Sequence, residues 1–452
     1  MSLEAFKARF GASFVTSEAM RCQHAHTTTW IRSQLPDGIV FAQTTEEIQD
    51  AVRLAAAAGL AVVPFGAGTS LEGQVNAPQG GISIDLSQMN RVLSVRSEDL
   101  DCTIEPGVTR LQLNEYLRDS GLLFPIDPGA DATLGGMAST RASGTNAVRY
   151  GTMRDAVVNL KVVLADGSVI STGNRARKSS AGYDLTRLFV GAEGTLGIIS
   201  ELTLRLSPRP EAVSAIVGSF PSVDAACQCV IATIQCGITP ARIELMDTLQ
   251  VEAVNAYSGT DLPVAPLLLI ELHGSPAGVE ETSQTIHELV EGFEGQVTGL
   301  STRDEERNRL WQARHDSYWA CKSLRPGCSL VATDVCVPIS RLADCVTETQ
   351  ADIAQSRLVA PIVGHVGDGN FHVSILVDDS DADEVARVEA FTSRLAARAL
   401  KHEGTCTGEH GIGQGKIAYL TEELGEAVDV MRSLKRALDP HNRMNPGKIF
   451  SM

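Results

Sequence analysis

Ala61-Val62-Val63, followed by Pro64-Phe65-Gly66-Ala67-Gly68-Thr69-Ser70-Leu71-Glu72-Gly73-Gln74, reads as a short strand running straight into a glycine loop. Ahead of it, Thr44 and Glu47 stand at the two positions of a capping box, and Gly59 stops the helix that follows. Glycines interleaved with small and hydroxyl residues expose successive backbone N–H groups, a nest suited to a pyrophosphate. The loop has no Lys, so it is not a Walker loop. Gly66 and Gly68 are followed by Leu71 where the dinucleotide fingerprint requires Gly. Taken alone, the loop fits a glycine turn between strands equally well.

Reading outward, strands are expected at Gly81–Leu86, Arg91–Arg96 and Asp101–Glu105, with a helix from Thr109 to Gly121. The stretch from Ile126 to Gly151 is rich in small and hydroxylated residues and lacks periodicity, which marks a binding loop. Val157–Leu164 and Ser168–Ser171 form a hairpin about Ala165-Asp166-Gly167. Gly191-Ala192-Glu193-Gly194-Thr195-Leu196-Gly197 leads into the strand Ile198–Leu206, and Pro208 and Pro210 close this first part. From Val213 the order becomes β-α-β-β-α-β, ferredoxin-like, with an extra helix after Met246. A helix over Asp304–Cys321, a strand near Ser329–Pro338, strands ending at His365 and starting at Phe371, and a helix from Asp381 to His402 follow.

A chain of 452 residues suggests two or three domains, and 40 glycines imply several close backbone approaches. A formal charge of −17 argues against nucleic acid and against an anionic membrane surface. The ten cysteines include no Cys-x-x-Cys and read as buried thiols. Met1 to Gln23 resembles no targeting signal, and no apolar run is long enough to span a membrane. The expectation is a soluble, cytoplasmic protein, at most peripheral on the inner membrane face.

Two later stretches carry chemistry. In Gly364-His365-Val366-Gly367-Asp368-Gly369-Asn370-Phe371-His372, two histidines bracket a glycine turn, and Gly408-Glu409-His410-Gly411-Ile412-Gly413 adds a carboxylate and a third imidazole. Two imidazoles and one carboxylate suit a borderline divalent cation and leave positions open for substrate. A plain pair of hairpin histidines is the competing reading. Asp368 and Asn370 are expected to shape the turn.

With these segments in hand, the sequence resembles the flavin-dependent 2-hydroxy acid dehydrogenases of the vanillyl-alcohol-oxidase-type superfamily, in their cytochrome-linked, FAD-containing branch. The resemblance runs from about Phe41 to Phe450 and rests on Pro64–Gln74, Ile126–Leu160, Leu188–Leu206, Arg325–Ile339, Gly364–Val373, Gly404–Gly413 and Leu438–Lys448. It implies an α+β protein: an FAD-binding domain of two α+β subdomains over 1–208, a ferredoxin-like substrate and metal cap over 209–425, and a C-terminal helical segment, 426–452, returning to the flavin.

It further implies that Pro64, Gly66, Ala67, Gly68, Thr69, Ser70, Gly73 and Gln74 hold the pyrophosphate. Pro128, Asp131, Thr133, Leu134, Gly135, Gly136, Ser139, Ser143, Gly144, Tyr150 and Gly151 would line the flavin, with Glu193, Gly194, Gly197, Ile198, Ile199 and Asn445. Thr69 stands where covalent relatives carry His, so the FAD is expected to be non-covalent. His365, His372 and Glu409 are the implied metal ligands, with zinc and manganese both open. His410 is the candidate base for the substrate hydroxyl, or else a partner orienting Glu409. Arg314 is the candidate clamp on the substrate carboxylate, or else an ion pair with Asp316, Glu305 or Glu306.

The substrate implied is a short D-2-hydroxy acid such as D-lactate, oxidised to its 2-oxo acid. Relatives acting on D-2-hydroxyglutarate carry a Lys where this chain has Val331-Ala332-Thr333. Glycolate and D-2-hydroxyglutarate remain as alternatives, and a non-catalytic flavin subunit is a reading of another class. Electrons would leave to a cytochrome, a quinone or an electron-transfer flavoprotein. A homodimer is compatible with the sequence.

Overall fold

The helix Thr45–Ala58 starts where Thr44 Oγ1 accepts from Glu47 N at 3.2 Å, and it ends on Gly59 in the left-handed region. The Glu47 carboxylate reaches Gln43 N instead of closing the box on Thr44. The chain is described by a computed structural model covering residues 3–27 and 29–452. Two units emerge: one of Met1–Ser143, Gly151–Arg209 and Glu409–Met452, the other of Gly144–Tyr150 and Pro210–Gly408. Among the described residues no helix is long and apolar enough to cross a membrane.

The first unit holds two main sheets. Strands β1 (Phe14–Val15), β2 (Gly38–Phe41), β3 (Val62–Phe65) and β4 (Ile82–Asp85) form one in the order β1-β2-β4-β3, with β2, β4 and β3 parallel. Next come β5 (Val92–Arg96), β6 (Asp101–Ile104), the two-residue β7 (Leu122–Leu123), β8 (Val157–Val163), β9 (Val169–Ser171), β10 (Ile198–Arg205) and the two-residue β11 (Ser207–Pro208). Of these, five make an antiparallel sheet in the order β5-β6-β10-β8-β9, and β11 pairs with β7. Each sheet buries its own apolar cluster, one around Val40, Ile48, Val52 and Ile84, the other around Ile104, Leu134, Leu160 and Leu202. The C-terminal stretch returns to this unit. Met444 bridges to Val62, and buried Lys435 donates to Thr195 O and Met444 O and pairs with Asp439.

Two expectations need correcting here. The stretch 126–151 is not structureless: helices occupy Leu134–Thr140 and Ala147–Tyr150. A Cβ on Gly135 would sit 2.5 Å from Pro106 Cβ, so this glycine marks a helix pressed against its neighbour and not a loop. The helix from Thr109 is also shorter than expected, ending at Tyr116.

The second unit is built on β12 (Ala212–Ser219), β13 (Arg242–Met246), β14 (Leu267–Gly274), β15 (Gln296–Ser301), β16 (Ser329–Ala332), β17 (Val335–Cys336), β18 (Ile362–Gly364) and β19 (Asn370–Val377). Its eight-stranded sheet runs β15-β12-β14-β13-β18-β19-β16, with β17 also on β19. The first four strands have the ferredoxin-like order, and the other strands extend it. One face buries the main core, including Ile243, Leu245, Ile270, Ile362 and Phe371. Across the other face lie Met246, Leu269, Val363 and Trp311. Alternation along β13 therefore sends Ile243 and Leu245 into the core and Arg242 and Glu244 to the opposite face. The helix expected over 304–321 is two, Asp304–His315 and Ser317–Ser323; at the break Ser317 Oγ donates to Arg314 O at 2.6 Å.

Candidate active site

In the first unit a cleft opens at the end of β3. Of the residues expected around a flavin, Pro64, Gly66, Gln74, Thr133, Gly135, Gly136, Ser139, Glu193, Gly197, Ile198, Ile199 and Asn445 line it. Phe65, Leu86, Pro106 and Thr140 line it too, and sequence reasoning did not single them out. The residues fit a dinucleotide. A Cβ on Gly66 would lie 2.2 Å from Thr133 Oγ1, so a side chain there would fill the cradle. Ser70 Oγ is buried with no hydrogen-bond partner among the described residues, as expected of a donor awaiting a phosphate oxygen. Other expected residues do different work: Asp131 accepts from Leu111 N, and Leu134 belongs to the core. Gly144 and Tyr150 fall in the second unit, where Tyr150 Oη meets His273 Nδ1 at 2.7 Å.

The cleft wall is tied to the segment bearing Glu409 and His410. Glu193, at φ +50°, accepts from Ile412 N at 2.7 Å and Gly413 N at 2.8 Å, and Gln74 Nε2 donates to His410 O at 2.8 Å. Asn445 Nδ2 donates to Glu193 O and Gln74 O, and Lys448 Nζ to Asn76 O. Gly411 is a requirement of this packing, because a Cβ there would meet Glu193 Oε1 at 2.4 Å. Burial pushes Glu193 up to about 7 against the pull of those two amides. Burial likewise brings Lys448 down to about 8, with Glu193 opposing it.

In the second unit, His365 and His372 end up with their rings 5.3 Å apart, edge to face. Ladder pairing of Val363 with His372 across β18 and β19 puts them there. His365 Nδ1 faces Glu244 Oε1 at 2.8 Å, and His372 Nδ1 faces Thr333 O at 2.9 Å. A carbonyl and a carboxylate can only accept, so each neutral ring carries its proton on Nδ1 and its lone pair on Nε2. That arrangement is typical of histidines that bind metal through Nε2. Asn370 pins the turn, donating to Asp334 Oδ1 and Val335 O.

Glu244, fully buried, is the residue sequence reasoning missed. It also takes Arg314, through Nη2 at 2.6 Å and Nε at 3.0 Å. Both donors fall on the single oxygen Oε2, and among the described residues Asp316, Glu305 and Glu306 are not the ion-pair partners of Arg314. Burial works against the Glu244 charge, yet His365 and Arg314 outweigh it and hold the group below the ordinary range. Glu409 and His410 begin the last stretch of the first unit, directly after Gly408 closes the second.

Family models match both parts: "FAD binding domain" over residues 36–173 and "FAD linked oxidases, C-terminal domain" over 209–449. A Danio rerio protein named "Probable D-lactate dehydrogenase, mitochondrial" is 51% identical over 438 residues, spanning 96% of this chain and 88% of its own. The Arabidopsis thaliana "D-lactate dehydrogenase [cytochrome], mitochondrial" is 44% identical, over 92% of this chain and 74% of its own. Among solved structures, p-cresol methylhydroxylase with bound substrate superposes at a TM-score of 0.81 with 18% identity, covering 99% of this chain and 96% of its own, and shares the fold. The cytoplasmic location expected above is overturned, since both relatives are named mitochondrial. Composition does not distinguish one compartment from another. With the FAD cleft, the family matches and these identities together, the chain belongs to the FAD-linked D-2-hydroxy acid dehydrogenases with a PCMH-type FAD-binding domain, closely related to the cytochrome-type D-lactate dehydrogenases, and oxidises a D-2-hydroxy acid to its 2-oxo acid.

Proposed function

We propose that D-lactate, or a similarly short D-2-hydroxy acid, is the substrate, and that the oxidation depends on a divalent metal held by His365, His372 and Glu409. The observation that carries this is the pair of histidines whose Nδ1 atoms are both committed to acceptors, which favours ligation through Nε2. When bound, FAD supplies a hydride acceptor and the metal a Lewis acid that makes the substrate hydroxyl more acidic. Arg314 orients the substrate carboxylate through its Nη1 side, because its Nε–Nη2 edge faces Glu244. His410 takes the hydroxyl proton; its backbone is already held by Gln74 and by the Glu193 clamp on the next two amides.

The short substrate is supported by two relatives named for D-lactate and by the uncharged run Val331-Ala332-Thr333. There Thr333 Oγ1 accepts from Val373 N, and the Thr333 carbonyl accepts from His372 Nδ1. A second substrate carboxylate would find no cation from this run, and an unpaired buried charge is costly. Non-covalent FAD follows from Thr69, and a cytochrome is the acceptor we favour, after the name of the Arabidopsis relative. Steady-state rates with an artificial acceptor test the assignment. D-lactate and D-2-hydroxybutyrate should exceed glycolate and D-2-hydroxyglutarate in kcat/KM, and a preference for the diacid would overturn it.

A further inference from the structure

We infer that Glu244 is a positioning residue that sets metal affinity and substrate-carboxylate affinity together, through His365 and Arg314; this rests on the ligand and clamp roles proposed above. The carboxylate lies on the polar face of β13. Pairing of Leu245 with Gly364 places it opposite His365, just past the end of the neighbouring strand. His365 Nδ1 faces both oxygens, Oε1 at 2.8 Å and Oε2 at 3.0 Å, and Oε2 also takes Arg314 at 2.6 and 3.0 Å. Glu244 is fully buried, so each partner is held by an acceptor that water cannot replace.

The consequence for His365 is tautomeric. An acceptor at Nδ1 keeps the proton there and the lone pair on Nε2, where a cation needs it. The consequence for Arg314 is orientational, since gripping one edge of a planar fork fixes the direction of the other. Glu244→Gln keeps the shape and reverses the first effect. Its amide NH₂ can donate to Nδ1, which moves the ring proton to Nε2 and blocks ligation. Its single oxygen then remains for Arg314, at reduced strength for want of charge.

The test uses FAD-loaded protein and two readouts. Equilibrium dialysis against Mn²⁺ or Zn²⁺ should show binding about 10- to 100-fold weaker in E244Q than in the parent. At saturating metal, KM for D-lactate should rise about tenfold, the equivalent of one weakened charged hydrogen bond, with kcat changed less. The double variant with His365→Ala should bind metal no more weakly than His365→Ala alone, because the two substitutions remove one interaction. A merely structural ion pair would lower the melting temperature and leave metal affinity and KM at parental values, and that result overturns the inference. Should E244Q fail to fold, Glu244→Asp retains the charge on a shorter arm, and parental metal affinity and KM there would count equally against it. A parent that binds no metal at all would instead sink the metal reading itself, with the KM arm still testing the Arg314 half.

Discussion

Glu193→Gln separates the electrostatic cost of a buried carboxylate from the bonds it makes. In the parent the group sits at about 7 instead of 4.5. At about 1.4 kcal/mol per pH unit, keeping it ionised in the fold costs roughly 3 kcal/mol above pH 7. The sign follows from proton counts. Between about 4.5 and 7 the folded state binds more protons at this site than the unfolded one, so stability from this group falls as pH rises through that window. Glutamine does not titrate and escapes the penalty, but its NH₂ opposes one of the amides of Ile412 and Gly413, at roughly 1–3 kcal/mol at any pH. E193Q should therefore melt below the parent at pH 5 and level with it or above it at pH 8. For a unit of this size the gap should narrow by roughly 6–12 °C, at about 2–4 °C per kcal/mol. Thermal melts of the FAD-loaded proteins at both pH values measure it, and a gap that is the same at pH 5 and pH 8 refutes the reasoning.

Gly66→Ala should yield folded protein that purifies with little FAD, because the added Cβ would meet Thr133 Oγ1 at 2.2 Å inside the cleft; the ratio of flavin to protein absorbance reads this directly. Lys435→Met removes the cation from buried Asp439 and the donor from two carbonyls. About 3–5 kcal/mol of stability should be lost, visible in a denaturant melt of the first unit, and a loss under about 1 kcal/mol would mean the pair is nearly neutral.

Much of the fold was legible because local signals agreed with it. The Thr44 cap, the Gly59 stop, the hairpin at 157–171 and the ferredoxin-like order each rest on short-range pattern. The helix at Leu134–Thr140 escaped because two adjacent glycines read as loop, whereas the first, Gly135, lacks a Cβ to serve a packing distance set by Pro106. The histidine pair could be read from one glycine turn, since β18 and β19 are neighbours in the chain. Glu244 could not, because its role depends on a register between strands about 120 residues apart. A weaker signal was present: Arg242 and Glu244 alternate with Ile243 and Leu245 on a strand that helices cover on both sides, and paired buried charge is the physical resolution. Arg314 was found as a residue without its pairing to Glu244, because a helix-borne guanidinium reaches across a sheet face as readily as along its own helix.

The measurement that bears most directly on the central claim is anaerobic flavin bleaching by D-lactate before and after dialysis against a chelator. The FAD-loaded protein should bleach rapidly. After chelation it should keep its FAD and bleach far more slowly, and Mn²⁺ or Zn²⁺ should restore the rate. Equal bleaching with and without metal would contradict the account, and so would a flavin that D-lactate leaves oxidised in both states.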